Sequence, residues 1–163
     1  EVTIEVPFII STGTSEPLLQ APALARMIAA LPTPMHVEIE TNGTVAPHAA
    51  LAPLVSQYNV SIKLKHSGNP VESAQIPERM VEWVQKPQAW FKFVIAAPED
   101  LAEVLDLQAR YAIPAARIYV MPEGTTSATI RERTAWLAPL ALDHGLRFTD
   151  RLHIHLYGDT RGT

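Results

Sequence analysis

Strand-length apolar runs alternate with helix-period segments along the whole chain, and this alternation restricts the fold more than any other feature of the sequence. The runs lie near residues 4–10 (IEVPFII), 35–40, 58–64, 90–96, 116–121 and 151–157. Between them, residues 18–31 place Leu18, Leu19, Leu24, Met27, Ile28 and Leu31 on a helical period. Leu101, Val104, Leu105 and Leu107 do the same after a start at Pro98, Glu99 and Asp100. Helices are also predicted near 47–57, 77–85 and 128–144, the last closing at Gly145. Such alternation predicts an α/β fold, a parallel sheet with helices on its outside. The chain has 163 residues and 47% hydrophobic content, enough for one domain over 1–163 with a substantial core and too few for two.

Separating alternate strand residues sharpens the expectation. Residues 35–40 put Met35, Val37 and Ile39 on one face and His36, Glu38 and Glu40 on the other. The strand near 58–64 opposes Val60, Ile62 and Leu64 to Ser61, Lys63 and Lys65; residues 151–157 oppose Leu152, Ile154 and Leu156 to Arg151, His153, His155 and Tyr157. Strands covered by helices on both faces read as continuous hydrophobic runs, so a polar face predicts a curved sheet with a wet concave side. A closed eight-stranded barrel would fill that space with branched side chains. An open barrel holding a ligand fits better, with Glu40, Ser61, Lys63 and His155 pointing inward.

Charge and composition narrow the partners. The net charge of -4 supplies no basic field for a nucleic-acid backbone, and charged residues are only 18% of the chain. No apolar run approaches the roughly 20 residues of a membrane helix, and no basic segment with a hydrophobic signal core opens the sequence. A cytoplasmic protein with a small-molecule ligand is the expectation. Zero cysteines exclude disulfides, a thiolate nucleophile and an iron–sulfur cluster held by these residues.

At the end of the 35–40 strand stands Glu40-Thr41-Asn42-Gly43-Thr44, a carboxylate, hydroxyls and an amide beside a turn glycine, where barrels place ligand contacts. Standing alone it would be an ordinary Asn-Gly turn. It is followed by VSIKLKHSGNP, WFKFVI, VMPEGTT and RLHIHLYGDTRGT, and preceded by SEPLLQ at 15–20. In order and spacing this series resembles the 7-carboxy-7-deazaguanine synthases, radical S-adenosylmethionine enzymes of queuosine and deazapurine biosynthesis, over nearly the whole chain.

The resemblance implies an open partial (β/α)6-type barrel whose first βα unit, with its cysteine-cluster loop, would precede Glu1. It implies conversion of 6-carboxytetrahydropterin to 7-carboxy-7-deazaguanine, with S-adenosylmethionine, a 4Fe-4S cluster and Mg2+. The family's Thr-Gly-Gly-Glu-Pro loop becomes Ser11-Thr12-Gly13-Thr14-Ser15-Glu16-Pro17, which implies cofactor contacts at Gly13, Ser15 and Glu16 and a substrate contact at Thr12. Thr14 and Ser15 replace the paired glycines. The Ser-Pro-Lys motif becomes Ser61-Ile62-Lys63, implying cofactor contacts at Ser61 and Lys63; Glu40 and Asn42 match the shared cavity. Met121, Pro122 and Glu123 match a later cofactor contact, and the closing Arg161-Gly162-Thr163 resembles a tail that reaches the substrate, at Thr163.

Without cysteines the radical step cannot start from these residues. A second reading is therefore a cysteine-free derivative that binds a small molecule or a partner. A third is Schiff-base chemistry at Lys63 or Lys92, both on strand patterns. His153 and His155 have no sequence-local third ligand and read as hydrogen-bonding groups rather than a metal set. An unpaired sheet edge would favour association into a homo-oligomer.

Overall fold

The computed structural model describes residues 8–11, 16–31 and 35–160. Six strands form one all-parallel sheet in sequential order: β1 (Phe8–Ile10), β2 (Val37–Thr41), β3 (Gln57–Val60), β4 (Ala89–Ile95), β5 (Ile118–Pro122) and β6 (Arg147–Phe148). The crossovers carry helices α1 (Ala21–Ala29), α2 (Val71–Ala74), α3 (Pro77–Val84), α4 (Pro98–Tyr111) and α5 (Ser127–Asp143), and α6 (Leu152–Tyr157) follows β6. The sheet is open, with β1 and β6 at its edges. This is the α/β arrangement expected of an open partial barrel.

Alternation along the strands decides which face meets the helices. Ala89, Phe91, Phe93 and Ile95 of β4 are fully buried, as are Ile39, Val60, Ile118 and Val120 on neighbouring strands. They pack with Met80 and Trp83 of α3, Leu101, Val104 and Leu107 of α4, and Leu137 and Ala141 of α5 in one cluster. Each fully buried side chain of this size contributes about 1.5–3 kcal/mol. A one-residue slip would turn all of them to the other face, so this packing fixes the register.

The opposite face is polar and cross-linked along the strands. Glu38 Oε2 accepts from Asn59 Nδ2 at 2.8 Å, and Asn59 Oδ1 accepts from Gln57 Nε2 at 2.7 Å. Farther along, the Arg147 guanidinium lies 4.9 Å from the Trp90 ring centroid and 5.7 Å from that of Tyr119.

Local chemistry sets the helix ends. Pro98 occupies the first turn of α4, and Asp100 Oδ2 accepts from the Ala96 and Ala97 amides at 2.8 and 2.9 Å. Thr126 Oγ1 caps α5 by accepting from the Thr129 amide at 3.2 Å, and the helix ends just before Gly145. Both helices match their sequence patterns. The 18–31 pattern is realised as a 3-10 turn at Pro17–Gln20 followed by α1, burying Leu18 and Ile28 while Leu19 and Met27 remain exposed.

Three expectations are corrected. Residues 151–157 are not the last strand: β6 is Arg147–Phe148, aligned with Tyr119–Val120, and the chain then forms α6. The LHIHL alternation misled because a short i, i+2 pattern also fits a single helical turn with one inward residue. Only Ile154 is buried, whereas Leu152 and Leu156 are 65% and 61% exposed. The helix expected over 47–57 is only a 3-10 turn at Ala49–Leu51, since Pro53 cannot continue a helix, and β3 begins at Gln57. The β3 ladder ends at Val60, although alternation persists to Leu64, with Ile62 and Leu64 buried.

Candidate functional site

A cavity of about 560 Å³ opens at the C-terminal ends of the strands. All six strands reach it, through Ser11 after β1, Thr41 in β2, Ser61 after β3, Val94 in β4, Met121 in β5 and Arg151 after β6. Ligand sites of parallel α/β barrels lie at this end because the strand-to-helix loops converge there.

The loop after β2 is built on Gly43. Its φ of 79° belongs to the left-handed region, and a Cβ there would lie 2.6 Å from Ile62 Cδ1 and 2.9 Å from Val60 Cγ1. Only glycine fits both constraints. Asn42 Oδ1 accepts from the Thr44 amide at 2.9 Å and its hydroxyl at 2.7 Å, closing the turn, while Trp83 Nε1 donates to Val45 O at 3.2 Å. The Asn-Gly turn and the cavity wall are therefore one structure.

Glu16 anchors that wall from behind. It is 7% exposed; Oε1 accepts from the Leu18 amide at 3.1 Å and from Thr41 Oγ1 at 2.9 Å, and Oε2 accepts from the Asn42 amide at 2.8 Å. Its carboxylate is spent on this loop, and it does not line the cavity.

Electrostatics inside the cavity come from four charged side chains, Glu40, Lys63, Lys92 and Arg151. Lys92 Nζ donates to Glu40 Oε1 at 3.1 Å across the concave face. Lys63 Nζ donates to Ser61 Oγ at 3.3 Å. Burial pushes the Lys63 ammonium below its ordinary value, the Lys92 charge pushes it further, and Glu40 offsets part of the effect. The Lys63 backbone is tied down as well, because Gln75 Nε2 donates to Lys63 O at 3.1 Å and to Glu103 Oε1 on α4 at 2.6 Å. His66 pairs with Asp100 at 3.0 Å, fastening the same segment to the start of α4.

Five residues that the family resemblance singles out thus meet in one cavity, Glu40, Asn42, Ser61, Lys63 and Met121, and Lys92 joins them. Pro122 is buried in β5, and the Glu123 carboxylate turns away to an ion pair with Arg133 of α5. His155 is not an inward strand residue; it lies on α6 with Nε2 3.2 Å from Asp150 Oδ2, and His153 is exposed. Thr12, Gly13, Ser15 and Thr163 lie outside the described residues. Arg151 stands on the polar face expected of a strand at 151–157 but matches no family motif; it lines the cavity from the turn before α6 instead. Among the described residues no group of three or more His, Asp or Glu forms a metal site. No helix there is long and apolar enough to cross a membrane.

These features define an open parallel α/β sheet that carries a polar, ligand-sized cavity at its strand ends. Comparison with known proteins gives the family. The chain is 34% identical over 158 residues to 7-carboxy-7-deazaguanine synthase of Pyrobaculum aerophilum, covering 96% of this chain and 68% of that protein. It is 30% identical to the synthase of Halobacterium salinarum, covering 95% and 66%, and 31% identical to that of Hyperthermus butylicus, covering 92% and 65%. No protein-family model matches. The chain belongs to the 7-carboxy-7-deazaguanine synthase family, and it spans about two thirds of the length of these relatives.

Proposed function

We propose that these residues form the S-adenosylmethionine and substrate cavity of a 7-carboxy-7-deazaguanine synthase that acts on 6-carboxytetrahydropterin. The observation that supports this reading is the convergence of Glu40, Asn42, Ser61, Lys63 and Met121, from three strands distant in sequence, on one cavity. S-adenosylmethionine fits the donor set. It carries a carboxylate that suits the Lys63 ammonium, hydroxyls that suit Ser61 and the Glu40 carboxylate, and a ring that suits the Met121 thioether. When bound, it supplies the hydrogen-abstracting group, while the protein binds, orients and excludes water. The Lys92–Glu40 pair already orders the carboxylate before a ligand binds, which reduces the ordering cost of the complex.

A 4Fe-4S cluster does not fit these residues, since the sequence contains no cysteine. No carboxylate cluster suited to Mg2+ occurs among the described residues either. The 163 residues by themselves are accordingly read as a binding unit, and cleavage of S-adenosylmethionine requires thiolates from outside them.

The test joins this chain to the part of the Pyrobaculum aerophilum relative outside the matched region and assays the composite anaerobically. Formation of 5′-deoxyadenosine and 7-carboxy-7-deazaguanine, reduced at least tenfold by Lys63→Ala and by Glu40→Ala, is expected. A composite that folds, carries its cluster and makes neither product refutes the proposal.

A further inference from the structure

We infer that Arg151 is the cavity's receptor for a ligand carboxylate. The inference rests on the cavity reading above and adds the group by which the ligand is recognised. Arg151 stands at the turn between β6 and α6, on the cavity wall. Its Nη1 donates to Gly124 O at 3.0 Å, which ties the side chain to the loop after β5. Its Nε is buried with no hydrogen-bond partner among the described residues. A buried donor left without an acceptor costs about 1–3 kcal/mol, so such a group in a cavity wall calls for an explanation.

Charge balance points the same way. Two neighbouring carboxylates are committed elsewhere: Asp150, adjacent in sequence, accepts from the Arg151 amide at 2.6 Å and pairs with His155, and Glu123, beside the Gly124 that Arg151 holds, pairs with Arg133. Glu40 pairs with Lys92. Arg151 forms no ion pair among the described residues, and neither does Lys63, so the four charged lining residues leave two positive charges uncompensated. An anion satisfies both the field and the orphaned donor. The guanidinium presents Nε and Nη2 as one planar edge that matches the two oxygens of a carboxylate. Nε is closed off from solvent in this state, so engagement requires the guanidinium to turn toward the cavity while Nη1 keeps its hold on Gly124.

Two ligands of the proposed reaction bear a carboxylate, and the experiment separates them. The 163-residue protein is titrated calorimetrically with two pairs: pterin-6-carboxylate against pterin, and S-adenosylmethionine against its decarboxylated analogue. For the pair that Arg151 reads, wild type favours the carboxylate by at least tenfold. Arg151→Gln abolishes that preference and leaves the decarboxylated partner within about twofold, and Arg151→Lys restores part of it. In the unsubstituted protein, the Arg151 Nε–H proton resonance moves downfield when the carboxylate ligand binds, a readout that does not depend on a variant folding. Equal affinity of wild type and Arg151→Gln, equal loss of both members of a pair, or an unmoved Nε–H signal with ligand bound each overturns the inference and leaves the cavity reading standing. If none of the four ligands binds, the cavity reading falls and this inference falls with it.

Discussion

Replacing Glu16 separates two roles that the sequence merges. The family resemblance makes Glu16 a cofactor contact, whereas its carboxylate is buried behind the cavity and accepts from Leu18, Thr41 and Asn42. Glu16→Ala strands three donors. At about 1–3 kcal/mol for each unsatisfied buried donor, with water entering the vacated space to relieve some, the loss is about 3–5 kcal/mol. In a chain of this size that lowers the melting temperature by roughly 10 °C. Glu16→Gln keeps one acceptor oxygen but presents an amide N–H to the Asn42 N–H, costing about 1–3 kcal/mol. Urea denaturation followed by tryptophan fluorescence gives the stabilities, and calorimetry with S-adenosylmethionine gives the affinity. Affinity should fall in step with stability, because Thr41 and Asn42 line the cavity. A Glu16→Ala protein as stable as wild type that no longer binds would refute the anchoring role and restore direct contact.

Further substitutions test the turn and the buried titratable groups. Gly43→Ala should cost about 1–3 kcal/mol in urea denaturation, since its Cβ collides with Ile62 and Val60 at a φ of 79°; no loss would mean that the turn shifts freely. Burial raises the Tyr58 phenol to about 12, so the folded state keeps a proton that the unfolded state loses from pH 10 upward. Stability should therefore fall by about 2 kcal/mol between pH 10 and 12, and Tyr58→Phe should remove that part of the slope. Lys63 behaves oppositely. Its folded pKa lies below the ordinary 10.5, so between the two values the unfolded chain binds more protons and stability rises with pH. Lys63→Met should flatten that rise when unfolding is measured at pH 7 and at successive steps to pH 10, and an unchanged slope would refute the desolvation reading.

The fold was legible where one residue pattern had one structural solution. Ala89–Ile95 alternates for seven residues with aromatic and branched side chains on one face, and it is the longest strand among the described residues. Pro98, Glu99 and Asp100 announce α4 because proline suits a first helical turn and the acidic group caps free amides. Residues 151–157 had two solutions. Their period of two held over too few residues to exclude a helical turn, and what decided between them was the ladder: Arg147 and Phe148 already occupy the edge beside β5. Strand pairing is a long-range fact, and no local pattern contains it.

The site divides along the same line. Glu40, Ser61 and Lys63 were legible because strand alternation dictates the face of a side chain, and the apolar face had to meet the helices. Glu16 and Glu123 match family motifs as well as Lys63 does, yet Glu16 turns behind the β2 loop and Glu123 toward α5. A motif fixes which residue stands at a position, and the donors within reach fix where a carboxylate points. For Glu16 three of them lie behind the loop. For Glu123 the donor is Arg133, ten positions along the chain on a helix whose packing the motif does not encode. Arg151 shows the converse, matching no assigned role but left by its neighbours' commitments with a charge and a donor facing no partner. Chemistry in this cavity is therefore read most directly from charges the fold leaves without a counter-charge, and Lys63 and Arg151 are the two lining cations with no ion pair among the described residues.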